Sequence, residues 1–318
     1  MANLLQWPPE LYLWLLYSLI LGVERALPTP TDNHPLQLLQ MLARAMARKV
    51  NQPGHSRSQQ RISGLMAALT LLSPWLVMLA LLYWISDIDW VLSALVLYIS
   101  VTSRAQSRTY QHINTLIQQA DTQQARARLQ PLVARETASL SALGLRKANL
   151  EWYTRFIVQG WLATLIWFCL LGPLAALAYR GLFELAAAWP CMRKRSHDFG
   201  YAVNWLTRRL AWPASLLVYL LLAARELLTG KLLPWRFTHQ PFMHAQDGRL
   251  WRAVASRLQT ALGGPIMLEG EKRQRPRFIY GPEPSQTTLS RGQRLMNALQ
   301  WTAWLSLSSL YLIRLVIS

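Results

Sequence analysis

The chain reads as an all-α, polytopic integral membrane protein with paired or re-entrant helices and helical loops on the cytoplasmic side. Three observations predict this. Ile62–Ile85 is an apolar run that exceeds the roughly twenty residues a transmembrane helix needs. Of the 33 Lys and Arg residues, all except Arg314 fall in the polar segments 24–62, 103–155, 180–209 and 225–295. Finally, 52% hydrophobic content with a mean hydropathy of only +0.14 is too polar for a protein made wholly of spans, and fits a few membrane helices carrying long polar segments. Basic loops stay on the cytoplasmic side of a membrane. The apolar runs between them must therefore cross in pairs, or dip in and return.

The net charge of +18 and pI near 10.7 would suggest nucleic acid in a soluble protein. Here an anionic leaflet explains the charge, at roughly 1 kcal/mol per juxtamembrane Lys or Arg. The lipid bilayer is the expected partner and nucleic acid is not; an anionic substrate is compatible with the same charge. Cys169 and Cys191 have no pairing or metal-ligand spacing and read as free thiols.

The elements follow in order, within a single domain spanning 1–318. The first candidate span, about 5–23, is short, interrupted by Pro8-Pro9, and ends in Glu24-Arg25 without a small-residue cleavage site; it reads as a retained anchor. Pro28, Pro30 and Pro35 break the chain. After His34-Pro35, Leu36, Leu39, Leu42 and Met46 take the spacing of an amphipathic helix with a basic face. The span 62–85 is followed by an acidic turn at Asp87 and Asp89 and a return over 89–102, a hairpin with its tip outward.

Helical spacing continues from Ser103 to Arg155, with a joint at Ala120-Asp121. The run 156–189 is broken at Gly172-Pro173, because proline suits the first turn of a helix and disrupts an interior. Glu184 lies inside that run and is expected to face a protein cavity. A weak span at 210–228, a long polar segment at 229–295 and a further span at 296–317 complete the chain, which has no internal repeat.

Standard catalytic signatures are missing. There is no GxxxxGK phosphate loop, HExxH, CxxC or GxSxG. The six histidines are scattered singly. The run Arg193-Lys194-Arg195-Ser196-His197-Asp198 reads either as a juxtamembrane positive-inside cluster or as a clamp for phosphate or carboxylate. Gly263-Gly264-Pro265 reads as an ordinary turn or as a place where backbone approaches a ligand.

Taken in order, these pieces resemble the CbiB/CobD family of cobalamin biosynthesis, the membrane-bound adenosylcobinamide-phosphate synthases. The resemblance rests on His34-Pro35-Leu36, Ser103-Arg104, Ala120-Asp121 with Ala125-Arg126, and Arg135-Glu136-Thr137. It continues through Glu151, Asp198-Phe199-Gly200-Tyr201, Trp212-Pro213, Leu262-Gly263-Gly264-Pro265 and Arg275-Pro276, covering roughly 30–300.

The resemblance implies amide formation between a corrinoid side-chain carboxylate and aminopropanol or its phosphate, with Mg²⁺ and ATP. It implies Glu136, Glu151 and Asp198 in acid–base roles, with Glu136 and Glu151 as metal candidates. Arg135, Arg193, Lys194 and Arg195 would hold phosphate or corrinoid carboxylates, while His34, Gly263 and Gly264 would shape the pocket. It further implies a multi-pass protein of the cytoplasmic (inner) membrane, a corrinoid intermediate as ligand, and other late cobalamin-assembly proteins as partners.

The chain also departs from the family pattern. The acidic stretch after Glu151 has a further Glu-Asn and an Asp-Gly in the family, but Arg155-Phe156 and Gln159-Gly160 here. A family Asn and Asp appear as Phe183 and Ala186, an Asp-Asp pair as Thr207-Arg208, and an acidic residue upstream of LGGP as Trp251. Phe, Ala and Arg provide no oxygen ligand for a hard cation. The alternative reading is therefore a non-catalytic membrane sensor or scaffold, similar to the AmpE-like branch of the same superfamily. A transporter is a third reading, without the repeated halves that alternating access uses.

Overall fold

The computed structural model describes residues 9–26, 34–52, 54–86, 88–228 and 243–317. Residues 5–8 of the first candidate span, Pro28, Pro30, Asp87 and part of the polar segment after 228 lie outside them.

Helix α1 runs Pro9–Ala26 and α2 Pro35–Val50. His34 starts α2: its Nδ1 accepts from the Leu36 N–H at 3.2 Å, and Pro35 fills a first-turn position that needs no donor. Helix α3, Arg57–Ile85, begins with a reciprocal capping box between Ser56 and Gln59. It exposes Leu65, Leu69, Val77, Leu81 and Trp84, an apolar surface suited to contact with lipid.

Helix α4, Asp89–Ser100, returns from the hairpin but has only 12 residues. At 1.5 Å per residue it covers about 18 Å, well short of a hydrocarbon core about 30 Å thick. The expected return is thus a partial one, and the chain turns at Val101-Thr102 into α5, Ser103–Gln118. Ala120 takes a positive φ of 60°, and the Asp121 carboxylate caps α6, Thr122–Leu129. The joint expected at Ala120-Asp121 is present.

Helix α7, Ala142–Arg155, passes without a break into a π-helical turn, Phe156–Leu162, and then α8, Ala163–Ala188. All seven residues of that turn are buried. Gly172 has φ 81° and ψ −171°, which breaks α8 where Gly172-Pro173 predicts. Helix α9 runs Tyr201–Leu228, α10 Ala245–Leu258 and α11 Gln286–Ile317.

Between α10 and α11 lie short strands that helical periodicity does not anticipate. β1 (Ala261–Gly263) pairs antiparallel with β4 (Arg277–Ile279), and β2 (Ile266–Leu268) with β3 (Glu271–Arg273). The β2–β3 turn places positive φ at both Glu269 and Gly270, as a two-residue hairpin requires.

Among the described residues, three helical stretches are long and apolar enough to cross a membrane: Arg57–Ile85, Ala142–Ala188 and Tyr201–Ala223. The molecule is an all-α polytopic membrane protein with a small β cap. Helix α8 is central, packing against α2, α3, α4 and α9. Gly64 is required where α3 meets the turn before α9, since a Cβ there would lie 1.8 Å from the Phe199 carbonyl oxygen.

Candidate functional site

Glu151 sits near the end of α7, 2% exposed, and faces the bend between β1 and β2. That bend depends on Gly263 and Gly264, with φ of 75° and 101°; a Cβ on Gly263 would meet the Pro276 carbonyl oxygen at 2.3 Å. The geometry turns the Gly263 N–H onto Glu151 Oε1 at 3.0 Å. Arg275 Nη2 donates to both carboxylate oxygens, at 3.0 and 2.9 Å, and Arg135 Nη2 to Oε2 at 2.5 Å.

The second cation is accommodated by other contacts. Arg275 Nε donates to the Gly264 carbonyl at 3.1 Å, and its guanidinium lies 4.8 Å from the Trp251 ring centroid. One carboxylate thus holds two arginines, a helix end and a glycine bend in a single buried knot.

A polar cap surrounds this knot. Glu136 hydrogen-bonds the hairpin twice: its N–H donates to the Met267 carbonyl at 3.0 Å, and its Oε1 accepts from the Gly270 N–H at 2.7 Å. Arg193 Nε donates to the Ala134 carbonyl at 3.0 Å. Lys194 donates from its backbone N–H to Glu269 at 3.1 Å and from Nζ to Glu271 at 3.2 Å. The Arg195 side chain is exposed, while its carbonyl accepts from Asn51 Nδ2 at 2.5 Å. Asp198 is held elsewhere, 2.9 Å from Arg61 at the start of α3. Burial opposes its ionisation, yet the Arg61 and His197 contacts hold its carboxyl below the usual range.

His34 lines a separate cavity of about 290 Å³ together with Gln40, Arg44, Arg180 and Glu184. Arg180 Nη2 is 2.5 Å from Glu184 Oε1, and Gln40 Nε2 also donates to that carboxylate. Glu184 faces a cavity, as its place in an apolar run predicts. Burial, together with nearby Arg180, pushes the His34 imidazole down to about 4, and its buried Nε2 has no partner among the described residues.

Of the sequence-predicted residues, Arg135, Glu151 and Gly263 meet directly, Gly264 joins them through Arg275, and Glu136, Arg193 and Lys194 join the cap beside them. His34 and Asp198 take separate partners. The pattern pointed less clearly to Arg275, which completes the knot, and to Arg180, which neutralises Glu184. The i, i+4 spacing of Arg180 and Glu184 was the available signal for that pair.

The implied divalent metal does not fit these residues. Among the described residues no group of three His, Cys, Asp or Glu could hold an ion. Glu151 is occupied by two arginines, Glu136 by the hairpin, Glu184 by Arg180 and Asp198 by Arg61. Several departures from the family pattern serve packing or other hydrogen bonds. Phe156 and Phe183 meet edge to face at 6.3 Å with Arg180 over both rings, and Gln159 donates to Asp247 at 2.8 Å.

A family model described as "CobD/Cbib protein" matches residues 15–296. A cobalamin biosynthesis protein CobD from Chromobacterium violaceum is 28% identical over 92% of this chain and 95% of its own length. Its namesakes from Photorhabdus laumondii and Stutzerimonas stutzeri are each 26% identical, over 76% and 82% of this chain and 79% and 86% of their own. No solved structure matches. With a match running from α1 into α11 through both the Glu151 knot and the His34 cap, the chain belongs to the CobD/CbiB family.

Proposed function

We propose that this protein acts in cobalamin biosynthesis at the cytoplasmic face of the inner membrane. There it receives a corrinoid intermediate and joins a side-chain carboxylate to aminopropanol or its phosphate. The family match over 15–296 carries the reading. The Arg135–Glu151–Gly263 knot supports it, because elements far apart in sequence are drawn to one polar cap beside the membrane helices. Other late cobalamin-assembly proteins are the partners it would meet there. The test is ligation by detergent-solubilised protein with adenosylcobyric acid, aminopropanol phosphate and Mg-ATP, with mass detection of the amide. An active relative runs alongside. Amide product supports the reading, and none from folded protein removes it.

A second reading, a non-catalytic membrane sensor or scaffold on the same fold, has its own observation. Every acid proposed for the reaction already has a protein partner. Titration of Mg-ATP into the same preparation separates the two readings: no heat of binding favours the scaffold, and saturable binding favours the ligase.

A further inference from the structure

Two cavities of opposite character meet at the start of α2. His34 lines the polar cavity of about 290 Å³, Pro35 lines an apolar groove of about 140 Å³, and Leu36 lines both. The division continues along α2 as adjacent stripes, with Gln40 and Arg44 on the polar side and Leu39 on the groove side. The groove is walled by α2, α3, α4 and α8, and no charged, amide or hydroxyl side chain lines it.

The groove has the length and the opening that a lipid chain needs. Leu72 and Leu82 end its α3 wall, about 15 Å apart at 1.5 Å per residue. That is about half of a hydrocarbon core about 30 Å thick, the share that one leaflet fills. Met78, Leu82 and Leu95 line the groove and are exposed, so they form its rim. On α3 that rim is continuous with the exposed Val77 and Leu81, part of the surface suited to lipid.

The polar cavity offers donors at the other end. Its carboxylate, Glu184, is already matched by Arg180 and by Gln40 Nε2. Arg44 Nη2 donates to Gln40 Oε1 at 3.0 Å, and Arg44 makes no ion pair among the described residues. Its remaining N–H groups, with the Gln37 and Gln106 amides in the same lining, can donate to an acceptor oxygen.

We infer that the two cavities together bind one acyl ester of a bilayer lipid, its chain in the groove and its ester oxygens accepting from Arg44. An acyl ester is apolar along its length and carries acceptors at its head, the order of polarity that groove and cavity present. A soluble anion would use the Arg44 end alone and leave the groove unfilled. The inference is independent of the corrinoid reading, because it needs only the lining residues.

The test uses the full chain from phosphatidylcholine nanodiscs, released into detergent and read by native mass spectrometry for retained lipid. Wild type should hold one lipid. Monooleoylglycerol, which has the chain and the ester but no phosphate, should displace it. Met78→Trp and Leu95→Trp narrow the rim from α3 and from α4, and each should abolish retention. Using two helices keeps the result from resting on the folding of a single variant. Leu81→Trp, exposed on α3 outside the groove, should retain lipid as wild type does. Arg44→Gln should lower the ratio of lipid-bound to lipid-free protein by about tenfold, the loss expected for a charge-assisted hydrogen bond. Arg48→Gln, exposed on α2 outside the polar cavity, should leave that ratio unchanged. A wild type without retained lipid overturns the inference, as does retention that monooleoylglycerol cannot displace. Wild-type retention in both rim variants, or equal ratios for Arg44→Gln and Arg48→Gln, overturns it as well.

Discussion

Arg275 grips Glu151 with a single nitrogen shared between both carboxylate oxygens, at 3.0 and 2.9 Å, while Arg135 reaches the same carboxylate from the other side. Glu151 is therefore the counter-charge for two buried cations before it is anything else. The relationship gives the LGGP bend its purpose: it presents the Gly263 N–H as a further donor to the same group.

Removing that charge should show first as instability. Glu151→Gln leaves Arg135 and Arg275 without their anion, and breaking a buried pair from one side costs about 3–5 kcal/mol. Thermal unfolding in detergent should drop by several degrees or more. Replacing the pair together, as Glu151→Met/Arg275→Met, should recover part of the loss. An unchanged melting temperature in Glu151→Gln would show that the carboxylate is not the structural centre of the cap.

Arg180 and Glu184 form a corresponding buried pair on α8, with Phe156 and Phe183 around the guanidinium. Glu184→Ala should destabilise the protein by about 3–5 kcal/mol, because it strands a buried cation. The double variant Arg180→Met/Glu184→Leu should cost less than that single change. A double-mutant cycle on thermal unfolding reads the coupling directly, and additivity of the two changes would contradict it.

The features legible in the sequence are those set by local chemistry. His34-Pro35 announces a helix, Ala120-Asp121 a joint and Gly172-Pro173 a break, and each acts through its own backbone neighbours. The strands were not legible: three residues each are too few for a period of two to register. The site was legible in its members but not in its pairing. Arg275 lies 124 residues from Glu151, and only the tertiary fold brings them together.

The packing of α3 against the turn before α9 should tolerate nothing larger than hydrogen at Gly64. Gly64→Ala places a methyl 1.8 Å from the Phe199 carbonyl oxygen, so backbone must move. Such overpacking costs about 1–3 kcal/mol. Gly54→Ala meets no heavy atom within 4 Å and serves as the control, expected to be neutral. Equal unfolding temperatures for the two variants would argue against the close approach of α3.

His34 should make stability depend on pH in one direction. Its Nδ1 accepts from the Leu36 N–H, so the neutral ring caps α2 and the protonated ring cannot. Burial and Arg180 lower the imidazole from 6.5 to about 4. Because the folded value lies below the unfolded one, the contribution is fully present above pH 6.5 and is lost as pH falls from there toward about 4. Asn can accept the same cap hydrogen bond without titrating. The difference in stability between wild type and His34→Asn should therefore shift against wild type as pH falls across that window and stay level above it. Chemical unfolding at a series of pH values measures the difference, and parallel profiles would show that His34 carries no such linkage.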